Sequence, residues 1–237
     1  MKPQPTSLIP DNDAARLEAL RRYQILDASN ELLFDALVKI TAQLFQAPIA
    51  LMSLVEEDEV LFKGNFGLPG AERVGRHLSL CSTAVLQDES VVFEDLEANP
   101  CQLTDPFVAR QLNLRFYAGH ALQTNDGYNI GTLCVIDRKP REFSAAESTL
   151  LGTLASVAMS LLDLRLALGI GSENSFKLWE PVYKAIEVLL ARLKKLADQA
   201  AATAGPTAAP LSQAMTKEAQ AIATVIGQHI AAALKRV

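Results

Sequence analysis

Chemistry in this chain has few places to start: three cysteines, Cys81, Cys101 and Cys134, and a handful of charged and phenolic side chains between residues 95 and 117. A thiol becomes a reagent only when a helix N-terminus, a cation or a second thiol depresses its pKa. Cys81 has the best claim, because it stands near the start of a short predicted helix and shortly after Arg76 and His77. Cys134 lies in an apolar run of strand composition, where cysteine is usually a small hydrophobe, and Cys101 lies in a loop. No Cys-x-x-Cys pair occurs, so neither zinc nor a disulfide framework is expected. No pair of His, Cys or acidic residues has ligand spacing on one element either. Asp95, Asp105, Arg115 and Tyr117 could offer hydrogen bonds to a small ligand. The plainer reading is that the two aspartates cap turns and Arg115 pairs with an acid.

The elements that must position these residues follow from periodicity. Asp11-Asn12-Asp13 can cap a helix through Leu26, and a second helix runs from about 31 to 45 with Phe34, Leu37, Ile40 and Leu44 on one face. Pro48 ends it and opens the apolar run Ile49–Val55, which an acidic turn pairs with a second strand at 60–63. Residues 64–78, rich in Gly and Pro, read as a loop. A short helix through about Leu86 and a third strand at 91–93 precede a long polar excursion to Asn113. Two further strands follow, joined across Asn125-Asp126-Gly127, whose residues tolerate positive φ. Ser144 with Glu147 three residues on is a capping box for a helix to about Leu168. After Gly169–Ser172, a heptad-like seam (Trp179, Val182, Ile186, Leu189, Leu193, Leu196) predicts a helix over 176–199. A linker at 200–210 then leads to a last helix, 212–234. Hairpin-linked strands flanked by helices imply an α+β fold, an antiparallel sheet with helices on one face and a pocket under loops on the other.

Composition limits the function. The chain has 237 residues, 49% hydrophobic and 21% charged, with a net charge of −5, so general nucleic-acid binding is not expected. No run of roughly 18 apolar residues and no signal-peptide pattern occur, so a cytoplasmic protein without a membrane span is expected. Residues 176–237 carry 8 Lys and Arg against 4 Asp and Glu, while the rest of the chain is acidic. This asymmetry suggests two units.

Five segments in order, "ARLEALRRYQILD", "PIALMSLVEEDEVLFKGNFGLP", "SLCSTAVLQDESVVFEDLEANP", "RFYAGHALQT" and "GTLCVIDRKPREFS", resemble the GAF domains of bacterial sensor histidine kinases and diguanylate cyclases. The resemblance covers residues 11–168. It implies a GAF, PAS-like fold with a central antiparallel sheet of five to six strands, terminal helices on one face and a ligand pocket on the other, lidded by residues 95–117. The pocket candidates are then Cys81, Asp95, Asp105, Arg115, Tyr117 and Cys134, with no catalytic residue, metal or cofactor. Residues 176–237 resemble no catalytic domain and form a C-terminal helical hairpin, packed against the helices at 13–26 and 144–168 or docking an output protein. The family also implies a homodimer through helices.

Other branches of the family fit less well. Bilin attachment generally uses Cys followed by His, but Ser82 follows Cys81, and His77 and His120 as haem ligands have the plainer reading of structural histidines. The stretch Asp137–Ser144 lacks the cyclic-nucleotide signature Asn-Lys-x-x-x-Phe-x-x-x-Asp-Glu. Free methionine-(R)-sulfoxide reductases use a pocket cysteine similar in position to Cys81, which supplies the alternative of a thiol-dependent reductase. Their Ser-Glu-Ile/Leu-Val strand start is replaced here by Leu114-Arg115-Phe116-Tyr117. The expected function is therefore that of a small-molecule-sensing regulatory domain signalling through its terminal helices.

Overall fold

Alternation along one sheet divides the molecule into a helical side and a loop side. The computed structural model describes residues 7–26, 32–168, 173–203 and 212–235. Its strands are β1 Ile49–Val55, β2 Glu59–Phe66, β3 Arg73–Gly75, β4 Val91–Phe93, β5 Phe116–Gln123 and β6 Asn129–Asp137, and its helices are α1 Asp13–Arg22, α2 Leu32–Leu44, α3 Cys81–Ala84, α4 Phe107–Gln111, α5 Ala145–Leu168, α6 Glu173–Thr203 and α7 Gln213–Leu234. The strands form one sheet in the order β3-β2-β1-β6-β5-β4, and every neighbouring pair is antiparallel. The central strand β1 is buried along its whole length because both its faces are covered.

Register decides which residue serves which side. Leu51 and Gly119 flank Cys134 across the sheet. Met52, Leu54, Phe116, Ala118, Leu133 and Val135 join the helical core, whereas Leu51, Phe62, Tyr117, Cys134 and Ile136 form a second cluster beneath the loops. The hairpin turn has the expected chemistry: Gly127 takes φ +84°, and the turn is tied to the helices by Arg22–Asp126 and Asn125–Asp163 hydrogen bonds.

On the helical side α2 rests on β1 and β2 and α5 on β5 and β6, while α6 lies along α2 and α7 along α5. The helix α5 starts at the capping box, where Ser144 Oγ accepts from Glu147 N at 3.2 Å and Glu147 Oε2 accepts from Ser144 N at 2.9 Å. By length and composition its stretch Ala145–Ala167 is apolar enough to cross a membrane. Burial between the sheet and α7 accounts for that composition, since Leu150, Leu154, Ala158, Leu161 and Leu162 are all buried.

Three expectations need correction. Residues 64–78 hold the end of β2, the edge strand β3 and a 3₁₀ turn, because Asn65 Nδ2 donates to the carbonyls of Leu68 and Ala71 and closes a turn that returns the chain to the sheet. The first helix stops at Arg22 and not Leu26, since Gln24 takes a left-handed φ of 47°. The C-terminal hairpin packs on α2 as well as α5; α1 instead sits by β6, and the chain just past its end meets α5 through Tyr23–Asp163 and Arg165–Tyr23 hydrogen bonds. Residues 27–31, the break expected at 169–172, the part of the expected 200–210 linker from 204 on, and the side chains of Trp179 and Val182 lie outside the described residues.

Candidate functional site

The loop side is built from α3, from the excursion between β4 and β5 with α4, and from the loop before β3. Two adjoining cavities lie there. The inner one, about 150 Å³, is apolar: Leu51, Phe62, Tyr117 and Ile136 of the sheet meet Ser79, Leu80 and Cys81, with Val108, Ala109 and Leu112 above. The outer one, about 470 Å³, shares Leu80, Ala109 and Leu114 with it and adds Glu97, Cys101, Thr104, Arg110, Asn113, Arg115 and Arg138. An apolar chamber beneath a polar vestibule is the usual form of a small-molecule site.

Of the six residues expected here, the structure brings four to this region. Cys81 and Tyr117 line the inner cavity and Arg115 lines the outer one. Cys134 lies fully buried under the floor, with its Sγ 3.8 Å from Cys81 Sγ. The two aspartates line neither cavity and hold the excursion in shape. Asp95 accepts from Arg115 Nε at 2.9 Å and Nη2 at 2.8 Å and caps the turn at Glu97. These Arg115 hydrogen bonds hold the Asp95 carboxyl down at about 2. Asp105 Oδ1 accepts from Phe107 N at 2.9 Å and so starts α4. His120, on the opposite face, is bonded to Ser90 at 2.9 Å and abuts Gly152 of α5, a structural position.

Sequence reasoning passed over Arg110 and Arg138. Both are exposed at the outer cavity, and neither has an ion pair among the described residues. Arg138 reaches this site because Arg115 N donates to Asp137 O at 2.9 Å, which sets the end of β6 beside the lid. Only the strand pairing reveals that neighbourhood. Arg110 reaches it from the last turn of α4.

The floor of the inner cavity is a buried polar cluster. The Cys134 thiol against it lowers Cys81 to about 7, burial opposing, with Ser53, Ser79 and Tyr117 hydroxyls assisting. Cys134 is pushed well up, by burial and then by Cys81. The phenol of Tyr117 folds over Gly119, where a Cβ would come within 2.2 Å of its oxygen, so only glycine leaves it room. That oxygen is buried beside the two sulfurs without closing a hydrogen bond. Burial, and next the sulfurs, hold the phenol well above its ordinary pKa, so it stays an O–H donor. Among the described residues no group of three or more His, Cys, Asp or Glu could hold a metal ion.

A sequence profile of the GAF domain matches residues 29–162. A cyclic di-GMP phosphodiesterase of Pseudomonas aeruginosa is 31% identical over 132 residues, 56% of this chain; the chain spans only 22% of that relative's length. Among solved structures, the GAF domain of an Acinetobacter phosphoenolpyruvate-protein phosphotransferase is 21% identical over 65% of this chain and 97% of that one, with a TM-score of 0.49. A free methionine-R-sulfoxide reductase of Neisseria meningitidis, solved with its substrate, is 20% identical over 66% of this chain and 90% of that one, with a TM-score of 0.45.

Proposed function

This chain belongs to the GAF domain family, and from that premise we propose that it is a non-catalytic regulatory domain of bacterial signal transduction, one that binds a small molecule and passes occupancy to its terminal helices. The observation that carries this reading is the layering: paired cavities on one face of the sheet, and on the other face α2 and α5, which bear α6 and α7. A ligand acts only through a difference in affinity between two arrangements of the protein. Here the sheet is the sole layer between ligand and helices, so a shift in it reaches both. The similarity to a fifth of a cyclic di-GMP phosphodiesterase supports a regulatory part in such signalling.

The lining suggests the ligand's shape. The inner chamber favours an apolar body, and Arg110 with Arg138 favours a carboxylate or phosphate at the mouth, since guanidinium matches those groups bidentately. Native mass spectrometry of the purified full chain, followed by thermal-shift measurements with small carboxylates and phosphates, tests this. We expect a bound anion or an upward shift that Arg110→Ala with Arg138→Ala abolishes. A chain that carries nothing and responds to none of them would remove the sensor reading.

The Cys81–Cys134 contact favours one alternative, a thiol-dependent reductase using Cys81. Incubation with free methionine sulfoxide and a thioredoxin system separates the two. Turnover lost in Cys81→Ser would install the enzyme in place of the sensor.

A further inference from the structure

The thiol pair beneath the inner cavity has a geometry of its own, independent of any ligand above it. Cys81 opens α3 and Cys134 lies mid-strand in β6, 53 positions away, yet their sulfurs are in van der Waals contact at 3.8 Å. The backbones are clamped as well: Thr132 Oγ1, two residues before Cys134, donates to the carbonyl oxygen of Cys81 at 3.0 Å. The two segments that a disulfide would join are therefore already held together. Both thiols are buried, at 3% and 0% exposure, but Cys81 lines the inner cavity and is open to an oxidant as small as a peroxide. Around the sulfurs stand the hydroxyls of Ser53, Ser79 and Tyr117, and the last closes no hydrogen bond.

We propose that Cys81 and Cys134 form a reversible redox site that peroxide converts to an intramolecular disulfide under the pocket floor. The thiolate of Cys81 attacks one oxygen of the peroxide; the O–O bond breaks, and the leaving oxygen takes up a proton and departs as water, or as an alcohol from an organic hydroperoxide. The resulting Cys81 sulfenic acid is attacked by Cys134, the S–O bond breaks, and the hydroxide takes the Cys134 proton to leave as a second water. Two electrons pass from the two sulfurs to the peroxide, and a dithiol reductant returns them. Cys81 is the first nucleophile because it reaches the cavity and carries the hydroxyl donors. Tyr117 is a positioning residue, giving its otherwise unmatched O–H to the thiolate.

The product distribution tests this, because chain statistics favour a different pair. In an unfolded chain the shortest loop closes most readily, and Cys81 to Cys101 spans 20 positions against 53 for Cys81 to Cys134. The full chain is treated with hydrogen peroxide, folded or in urea, then alkylated, digested and analysed by mass spectrometry. We expect the folded protein to yield the Cys81–Cys134 cross-link at least about tenfold over the other two pairings, in line with the advantage of preset geometry. In urea that preference should vanish. Cys101→Ser should leave the folded result unchanged, and it serves even where Cys81→Ser does not fold. Tyr117→Phe should move the pH midpoint of oxidation upward. Folded protein in which Cys81 and Cys134 both stay alkylated, or in which Cys101 dominates the cross-links, would overturn the proposal.

Discussion

Asp13 shows how this fold keeps charge in its interior. Its carboxylate meets two buried guanidinium groups, Arg16 Nε at 2.8 Å and Arg76 Nη2 at 2.8 Å, while Arg16 also donates to Val55 O and Arg76 to Leu8 O. The three residues pin α1 to the ends of β1 and of the loop before α3. Burial pushes the Asp13 carboxyl up, but the hydrogen bonds from Arg76 and Arg16 outweigh it and the net shift is downward. Removing the carboxylate strands two cations, so Asp13→Ala should cost about 3 kcal/mol at neutral pH. A carboxyl lowered in the folded state stabilises fully above its ordinary value of 3.8, and that contribution fades as pH falls through the folded value. Urea midpoints of the wild type and the variant should thus differ widely at about pH 7 and draw together as the pH is taken progressively below 3.8. Equal midpoints at neutral pH would deny the cluster its role.

Among the elements, α7 owes its place to a stripe the sequence displays openly. Ala219, Ile222, Ala223, Ile226, Ile230 and Ala233 are buried, three and four apart, and they face a helical core shared with α5 and α6. Such a helix has no reason to persist in water alone, so its stability is that of the contact. Ile226, fully buried, should cost about 2–4 kcal/mol when cut to Ala. Chemical denaturation gives the value, and a loss under about 0.5 kcal/mol would mean that α7 does not dock. Arg141 joins elements in the same way at the other end of α5, donating to Phe45 O at 2.6 Å and Glu147 Oε1 at 3.0 Å and lying over the Phe116 ring. No periodicity announces it, because its partners come from three separate segments.

At the scale of the whole molecule, the sequence division at 168 and 176 does not divide the core. One apolar cluster runs from β1 and β6 through α2 and α5 into α6 and α7. The apolar sides of α2 and α5 are therefore covered by the chain's own hairpin. Deleting residues 173–237 would lay bare the outer sides of α2 and α5, an apolar area too large to leave in water. The fragment 7–168 should accordingly associate more strongly than the full chain. Sedimentation velocity of both at matched concentration checks this; an unchanged association state would show that the hairpin is not what shields the face.

The sequence alone determined whatever depends on near neighbours. The apolar runs of β1, β5 and β6, the Asn-Asp-Gly turn and the capping box at Ser144 are each set by residues within a few positions, and each stands in the structure where the sequence places it. The order of motifs was enough for the fold family, since five segments in register leave little freedom. Contacts between distant segments were out of reach. That Cys81 touches Cys134, that Arg138 stands beside Arg115 and that Asp13 binds Arg76 all follow from strand register and loop return. No local pattern encodes them, because the energy that selects them is the burial of two opposite faces of one sheet at once, and that balance exists only when the whole chain has closed.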